Sequence, residues 1–285
     1  MISVTSGLDS SRPPLLLLHG ICNNSAVWGP ILDRGLESRL SSDFFPIRGE
    51  LTGGRPSPGC PGWDFDFHLS VDMPRIWKAA LKLTGGRAPF VLGYSMGGML
   101  ALFSQARCLI EAPRLMVMGA PFVFSGIPFY PPLMRGTLFV AKLLRFRMIP
   151  VRLAAKLIFL YQFIASGCNY TADLNLFHAL IRRVAVDVPI ETLDQATRWV
   201  TDGRCVDHTG GPAYPDDLAC VTAPVLFLAG ENDRIVPPAS MRPGFDRISS
   251  NEKRFEIMPN ATHLSLIAPR NLDLLAGIIR DWFLG

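Results

Sequence analysis

Gly93-Tyr94-Ser95-Met96-Gly97 sets a serine midway between two glycines, directly after the apolar run 90–92 and before a run with helical spacing over 96–109. A serine held at a sharp strand-to-helix turn needs small residues two positions to either side, because the chain there folds back too closely for side chains. Its hydroxyl would sit at a helix N-terminus, where the dipole and unpaired amides favour developing negative charge. Such a serine attacks an acyl carbon once a general base takes its proton. The bland alternative is a glycine-flanked serine in an ordinary turn.

The base and the group that orients it are expected later in the chain. The apolar run 224–230 leads into Glu231-Asn232-Asp233, and Asp233 is the expected orienting carboxylate. Glu231 is the competitor, whose other role would be to close the turn. His263, 30 residues after Asp233 and ahead of the last helical run, is the expected general base. Asp233 would fix its tautomer and stabilise the imidazolium. His68, His178 and His208 show no partner pattern and are read as structural. Two amides must also face the tetrahedral oxygen. Met96, directly after the serine, supplies one, and Ile21, in the turn His19-Gly20-Ile21 that closes the first apolar run, is the candidate for the other.

Bringing these groups together calls for strands that end at one edge. Apolar runs at 15–18, 89–94, 114–118 and 224–229, with weaker ones at 44–47 and 254–258, alternate with helical spacing over 67–83, 96–109 and 264–283. That alternation predicts an α/β fold with a mostly parallel, doubly wound sheet. It stops after Met118 and resumes near Pro224, so a core of 1–121 and 216–285 is expected, with a helical cap inserted at 122–215. Within the insertion, Pro150 should divide the spacing over 133–163 into two helices, and further helices are expected over 175–186 and 189–200. Arg135, Lys142, Arg145, Arg152 and Lys156 are spaced to share one face, with no acid from 133 to 160. A solvated basic face over a helical lid is the expected reading, and weak contact with an anionic lipid interface the alternative.

Composition bounds the rest. Of 285 residues, 49% are apolar and 18% charged, enough to bury a large core and too apolar for general disorder. The 28 Lys and Arg against 24 Asp and Glu leave a dispersed +4, which argues against a nucleic-acid binder. Six cysteines, at 22, 60, 108, 168, 205 and 220, form no CxxC pair, so free thiols in a reducing compartment are expected rather than a disulfide scaffold or zinc knuckle. The first residues lack a basic n-region, and four leucines are too few for a signal or a span, so a cytoplasmic location is expected.

Taken together, His19-Gly20, the stretch from Gly93 to Gly98, Gly230 to Asp233 and His263 resemble the α/β-hydrolase superfamily over nearly the whole chain. The resemblance implies the α/β-hydrolase fold, Ser95, Asp233 and His263 as a triad, Ile21 and Met96 as oxyanion donors, and neither metal nor organic cofactor. His19-Gly-Ile-x-x-x-Ser25-x-x-Trp28, Trp63-Asp-Phe-Asp-Phe with Asp72-Met-Pro74, and Gln195-x-x-x-Trp-Val-x-x-Gly203 look like the acid lipase group of ester hydrolases. In that group 122–215 would cover an acyl pocket. The chain departs from it at Tyr94 and Met96, where His and Gln are usual, and in lacking a secretory signal. Gly-Tyr-x-Met-Gly-Gly is also similar to the polyhydroxyalkanoate synthases, but those use cysteine, and Ser95 points to hydrolysis. The expected activity is serine carboxylic-ester hydrolysis of small hydrophobic esters through an acyl-enzyme. Phe122, Phe124, Phe129, Leu160 and Phe163 would favour medium or long acyl chains. Alternatives are a thioesterase, lactonase, polyester depolymerase or acyltransferase with the same triad, or a non-catalytic hydrolase-like binding protein.

Overall fold

Strands buried on both faces account for the continuous apolar runs. The computed structural model describes residues 1–5, 7–31, 34–53, 63–124, 130–152 and 170–285. In chain order the strands are β1 (Ile2–Ser3), β2 (Pro14–Leu18), β3 (Phe45–Gly49), β4 (Phe90–Tyr94), β5 (Leu115–Met118), β6 (Met148–Ile149), β7 (Val188–Pro189), β8 (Val225–Gly230) and β9 (Lys253–Met258). Seven of them form one sheet in the order β1-β3-β2-β4-β5-β8-β9. All its pairs are parallel except β1 with β3. The short β6 and β7 pair antiparallel by themselves. Leu16, Leu18, Val91, Leu115, Val225 and Phe227 point into the core on one face of the sheet. Leu15, Leu17, Leu92, Met116, Leu226 and Leu228 point into the core on the other. Each such leucine is fully buried and contributes about 1.5–3 kcal/mol through transfer from water.

The helices are α1 (Leu36–Leu40), α2 (Met73–Leu83), α3 (Met96–Ala106), α4 (Tyr130–Leu143), α5 (Tyr170–Arg183), α6 (Ile190–Asp202), α7 (Pro238–Arg247) and α8 (Leu272–Leu284). Several depart from the sequence reading. A helical turn, Phe65–Phe67, and a wide π turn, His68–Asp72, precede α2, so helical structure starts at Phe65 rather than 67. The stretch expected as one helix over 264–283 is two 3-10 turns, Leu264–Ile267 and Pro269–Asn271, followed by α8. Pro269 explains the break, because it holds the preceding Ala268 extended, at φ −74° and ψ 147°.

Pro150 does not end the helix over 133–163. That helix, α4, closes at Leu143, where Arg145 turns to φ 55° and the N–H groups of Arg145 and Phe146 bond the carbonyls of Lys142 (3.1 Å) and Ala141 (2.9 Å). Arg145 therefore sits in a turn and Arg152 beyond β6, so the basic residues do not share one helical face; Lys156 lies outside the described residues. α5 starts five residues before the expected 175, and α6 ends at Gly203, whose φ of 67° supplies a left-handed cap. Cys22, Cys108, Cys205 and Cys220 are free; Cys60 and Cys168 lie outside the described residues. Among the described residues no helix is long and apolar enough to cross a membrane.

Two motifs about 130 residues apart hold α6 on the sheet core. The Phe65 N–H donates to Gln195 Oε1 at 2.9 Å, and Thr192 Oγ1 donates to the Trp63 carbonyl at 2.5 Å. The Phe65 ring meets Trp199 edge-on at 5.1 Å and Tyr214 at 5.3 Å. His208, read from sequence as lacking partners, bonds Asp66 through both its backbone N–H and its ring (2.7 and 2.6 Å). With Asp64, the ligand atoms of these three residues lie within 4.8 Å of one another. The hydrogen bond that its ring donates to the Asp66 carboxylate holds His208 above its ordinary value.

Candidate active site

Ser95 stands between β4 and α3 with φ 55° and ψ −123°, a backbone conformation that L residues rarely adopt. The flanking glycines make it attainable. A Cβ on Gly93 would lie 2.4 Å from the Gly97 carbonyl oxygen, and one on Gly97 would lie 2.5 Å from that of Leu18. The Ser95 N–H is fixed to the Met118 carbonyl at 2.8 Å, and its own carbonyl accepts the N–H groups of Gly98 and Met99.

The loops after β8 and β9 carry the other two groups and are knitted together. Asn232 N–H bonds the Ala261 carbonyl at 2.8 Å, and Asn260 N–H donates to Glu231 Oε2 at 2.8 Å. Glu231 thus ties the two loops together, and Asp233 N–H closes the turn on the Gly230 carbonyl. Asp233 is buried, and its Oδ1 accepts the N–H groups of Ile235 (2.9 Å) and Val236 (2.7 Å), which aims Oδ2 at His263 Nδ1, 2.8 Å away. His263 Nε2 lies 3.2 Å from Ser95 Oγ. Three side chains from positions 95, 233 and 263 thus form one continuous hydrogen-bonded line.

Tyr94 was legible in the sequence only as a departure from the acid lipase pattern. Its ring stacks on the His263 imidazole at 5.1 Å, and its hydroxyl donates to the His263 carbonyl at 3.0 Å. Burial, reinforced by the charge of Asp233, pushes the phenol well above its ordinary value, so it stays a neutral donor.

Ile21 and Met96 both border the same cleft. The turn carrying Ile21 reaches the serine closely, since a Cβ on Gly20 would lie 2.9 Å from Ser95 Cβ. His19 braces that turn. Its Nε2 accepts the Leu51 N–H at 3.2 Å, which leaves the proton on Nδ1, donating to the Gly20 carbonyl at 2.9 Å. Burial, opposed by Glu50 at 3.6 Å, holds His19 below its ordinary value and neutral. Glu50 in turn accepts the Ser25 N–H at 3.1 Å. His68, read from sequence as structural, borders the cleft while bonded to Asp72 at 2.7 Å; the i, i+4 spacing of the pair was the available signal. Cys22 also borders the cleft, but burial pushes its thiol up to about 12, so it is a poor nucleophile near neutral pH.

Of the apolar residues expected over the acyl pocket, Phe122 and Phe124 do not line this cleft. Phe122 is pinned by its N–H to the Ser240 carbonyl and buried against Phe103 and Phe227, while Phe124 packs on Trp199 at 5.7 Å. Phe129, Leu160 and Phe163 lie outside the described residues. Among the described residues, Ile21, Leu51, Trp63 and Val188 give the cleft its apolar lining.

The profile of the alpha/beta hydrolase family matches residues 15–273, from β2 into α8. The chain belongs to that family. Solved α/β-hydrolases of similar fold include a thermophilic esterase from Thermogutta terrifontis, 22% identical with a TM-score of 0.67, covering 100% of this chain and 92% of that one. A lipase-esterase related protein from Clostridium acetobutylicum superposes with a TM-score of 0.70 at 15% identity, covering 99% of this chain and 100% of that one. A probable alcohol acetyltransferase of Saccharomyces cerevisiae is 28% identical over 122 residues, 39% of this α/β-hydrolase and 34% of the relative. The chain thus spans about a third of that curated relative.

Proposed function

We propose that this α/β-hydrolase is a serine carboxylic-ester hydrolase acting on hydrophobic acyl esters. The observation that carries the reading is the line from Asp233 through His263 to Ser95, at 2.8 and 3.2 Å. Ser95 Oγ attacks the acyl carbon as His263 Nε2 takes its proton, and Asp233 balances the imidazolium. The N–H groups of Ile21 and Met96 receive the negative charge that builds on the former carbonyl oxygen. Collapse of the tetrahedral intermediate expels the alkoxide, which His263 protonates, and leaves the acyl group on Ser95. Water, deprotonated by His263, then attacks that ester, and Ser95 departs with the proton returned. The segment 122–215 acts as a cap, and the apolar side of the cleft receives the acyl chain. The likeness of residues 63–74 and 195–203 to acid lipases supports an ester rather than a charged substrate.

Rates on p-nitrophenyl esters from acetate to octanoate test this. The expected result is turnover abolished by Ser95→Ala and rising with chain length; a clear preference for acetate over octanoate would remove the hydrophobic acyl assignment. The partial likeness to an alcohol acetyltransferase favours a second reading, in which an alcohol replaces water in the second half-reaction. Adding alcohol acceptors and weighing the products separates the two.

A further inference from the structure

We propose that the outer face of α4 and the turn that follows it dock on an anionic phospholipid surface. Amphipathic helices normally turn their apolar stripe inward, and Ala141 of α4 is buried in that way. A second apolar stripe faces out. Phe139 and Leu143 are 68% and 69% exposed, Val140 is exposed between them, and Leu144 and Phe146 in the turn are exposed as well. The basic side chains expected to be solvated are exposed, and large apolar ones stand exposed among them.

The charge around the stripe selects the occupant. Arg135, Lys142, Arg145 and Arg147 are all exposed, and no acid occurs in the chain from 133 to 152. Asp194 of α6 bonds Lys142 at 2.6 Å and lies 3.4 Å from Arg198, and Asp187 accepts the Val151 N–H beyond β6. Large apolar side chains inside a ring of cations match a bilayer, whose headgroups take the cations while its acyl region takes the rings and leucines. A two-fold contact with a second copy through this patch would instead bring two sets of cations together, a like-charge arrangement. The turn leads directly into β6, which pairs with β7, and Val188 and Pro189 of β7 border the cleft. On the ester-hydrolase reading, docking brings the cleft beside the phase in which a hydrophobic ester dissolves.

Sedimentation with vesicles of phosphatidylcholine alone, or mixed with phosphatidylserine, tests the surface. Full-length protein is expected to pellet with the mixed vesicles, far less with neutral ones, and less as salt rises. Arg145→Glu with Arg147→Glu, and separately Phe139→Ser with Leu143→Ser, should each weaken partition about tenfold or more, with unchanged thermal unfolding and unchanged turnover of a soluble ester. Ser95→Ala should pellet like the wild type, so loss of docking and loss of the catalytic assignment are read independently. Failure to bind the mixed vesicles, or equal binding by the Glu variant, would overturn the proposal. So would a dimer in sedimentation velocity that the Ser variant dissociates, which would assign the stripe to a second copy.

Discussion

Ser95 and His263 sit among neighbours that leave them no other position, whereas Phe139 and Leu143 on α4 stand in solvent. At the serine, backbone atoms lie so close that the flanking residues must lack side chains, and the imidazole is held by Asp233 on one edge and the Tyr94 ring on one face. On α4, the inner side packs against α6 while the outer side pairs exposed hydrophobes with arginines. On the proposed hydrolase and docking roles, the difference is one of what each region must do. Reactive geometry has to be fixed before substrate arrives, and it is built on the stable sheet. A docking surface has to remain open until its partner arrives, so it carries apolar area that folding leaves unburied.

Substitutions at the two loops of the site should break that comparison most strongly. Asp233→Asn is expected to lower kcat/KM about 10⁴-fold, since it leaves the imidazole in the wrong tautomer. Glu231→Gln, which keeps an acceptor for the Asn260 N–H, should stay within about threefold in the same steady-state assay; equal losses would mean the orienting carboxylate is misassigned. Next in size, Phe227→Ala should cost about 3–5 kcal/mol in urea unfolding, because its fully buried ring touches those of Phe122, Phe245 and Phe255. Phe139→Ala should change stability by less than about 0.5 kcal/mol, and a large loss there would show α4 buried in solution. Tyr94→Phe keeps the ring stacked on His263 but loses one hydrogen bond, so kcat should fall about three- to tenfold with KM little changed. A KM effect of the same size would point to substrate contact instead.

The smallest expected effect is on pH dependence. His19 is held below its ordinary value by burial, so its folded pKa lies under the unfolded value of roughly 6.5. The unfolded chain then binds the proton more readily, and stability is full above that value and declines as pH falls through the lowered one. Unfolding free energies between about pH 5 and pH 7.5 should show this slope, and His19→Asn should flatten it. An unchanged slope in the variant would place the acid sensitivity elsewhere.

The strands were legible wherever burial on both faces made the run wholly apolar, as in β2, β4, β5 and β8. β1, two residues long, carries no such run. The end of α4 was misplaced because a proline is a conspicuous breaker, while Arg145 in a left-handed turn has no mark in the sequence. Ser95, Asp233 and His263 stood out because the proposed reaction would constrain their types and order. Tyr94, Glu50 and His19 support them through backbone carbonyls and a single buried contact, and contacts of that kind leave no spacing to read. The same holds for Gln195 and Phe65, whose meeting across about 130 residues depends on how α6 packs.

The central claim is that Ser95 becomes nucleophilic because His263 takes its proton. Incubation with a fluorophosphonate, followed by peptide mass analysis, tests it directly. A single adduct on the peptide containing Ser95 is expected, absent in Ser95→Ala and formed far more slowly in His263→Ala. An adduct on another residue, or labelling of Ser95 at an unchanged rate without the imidazole, would contradict the account.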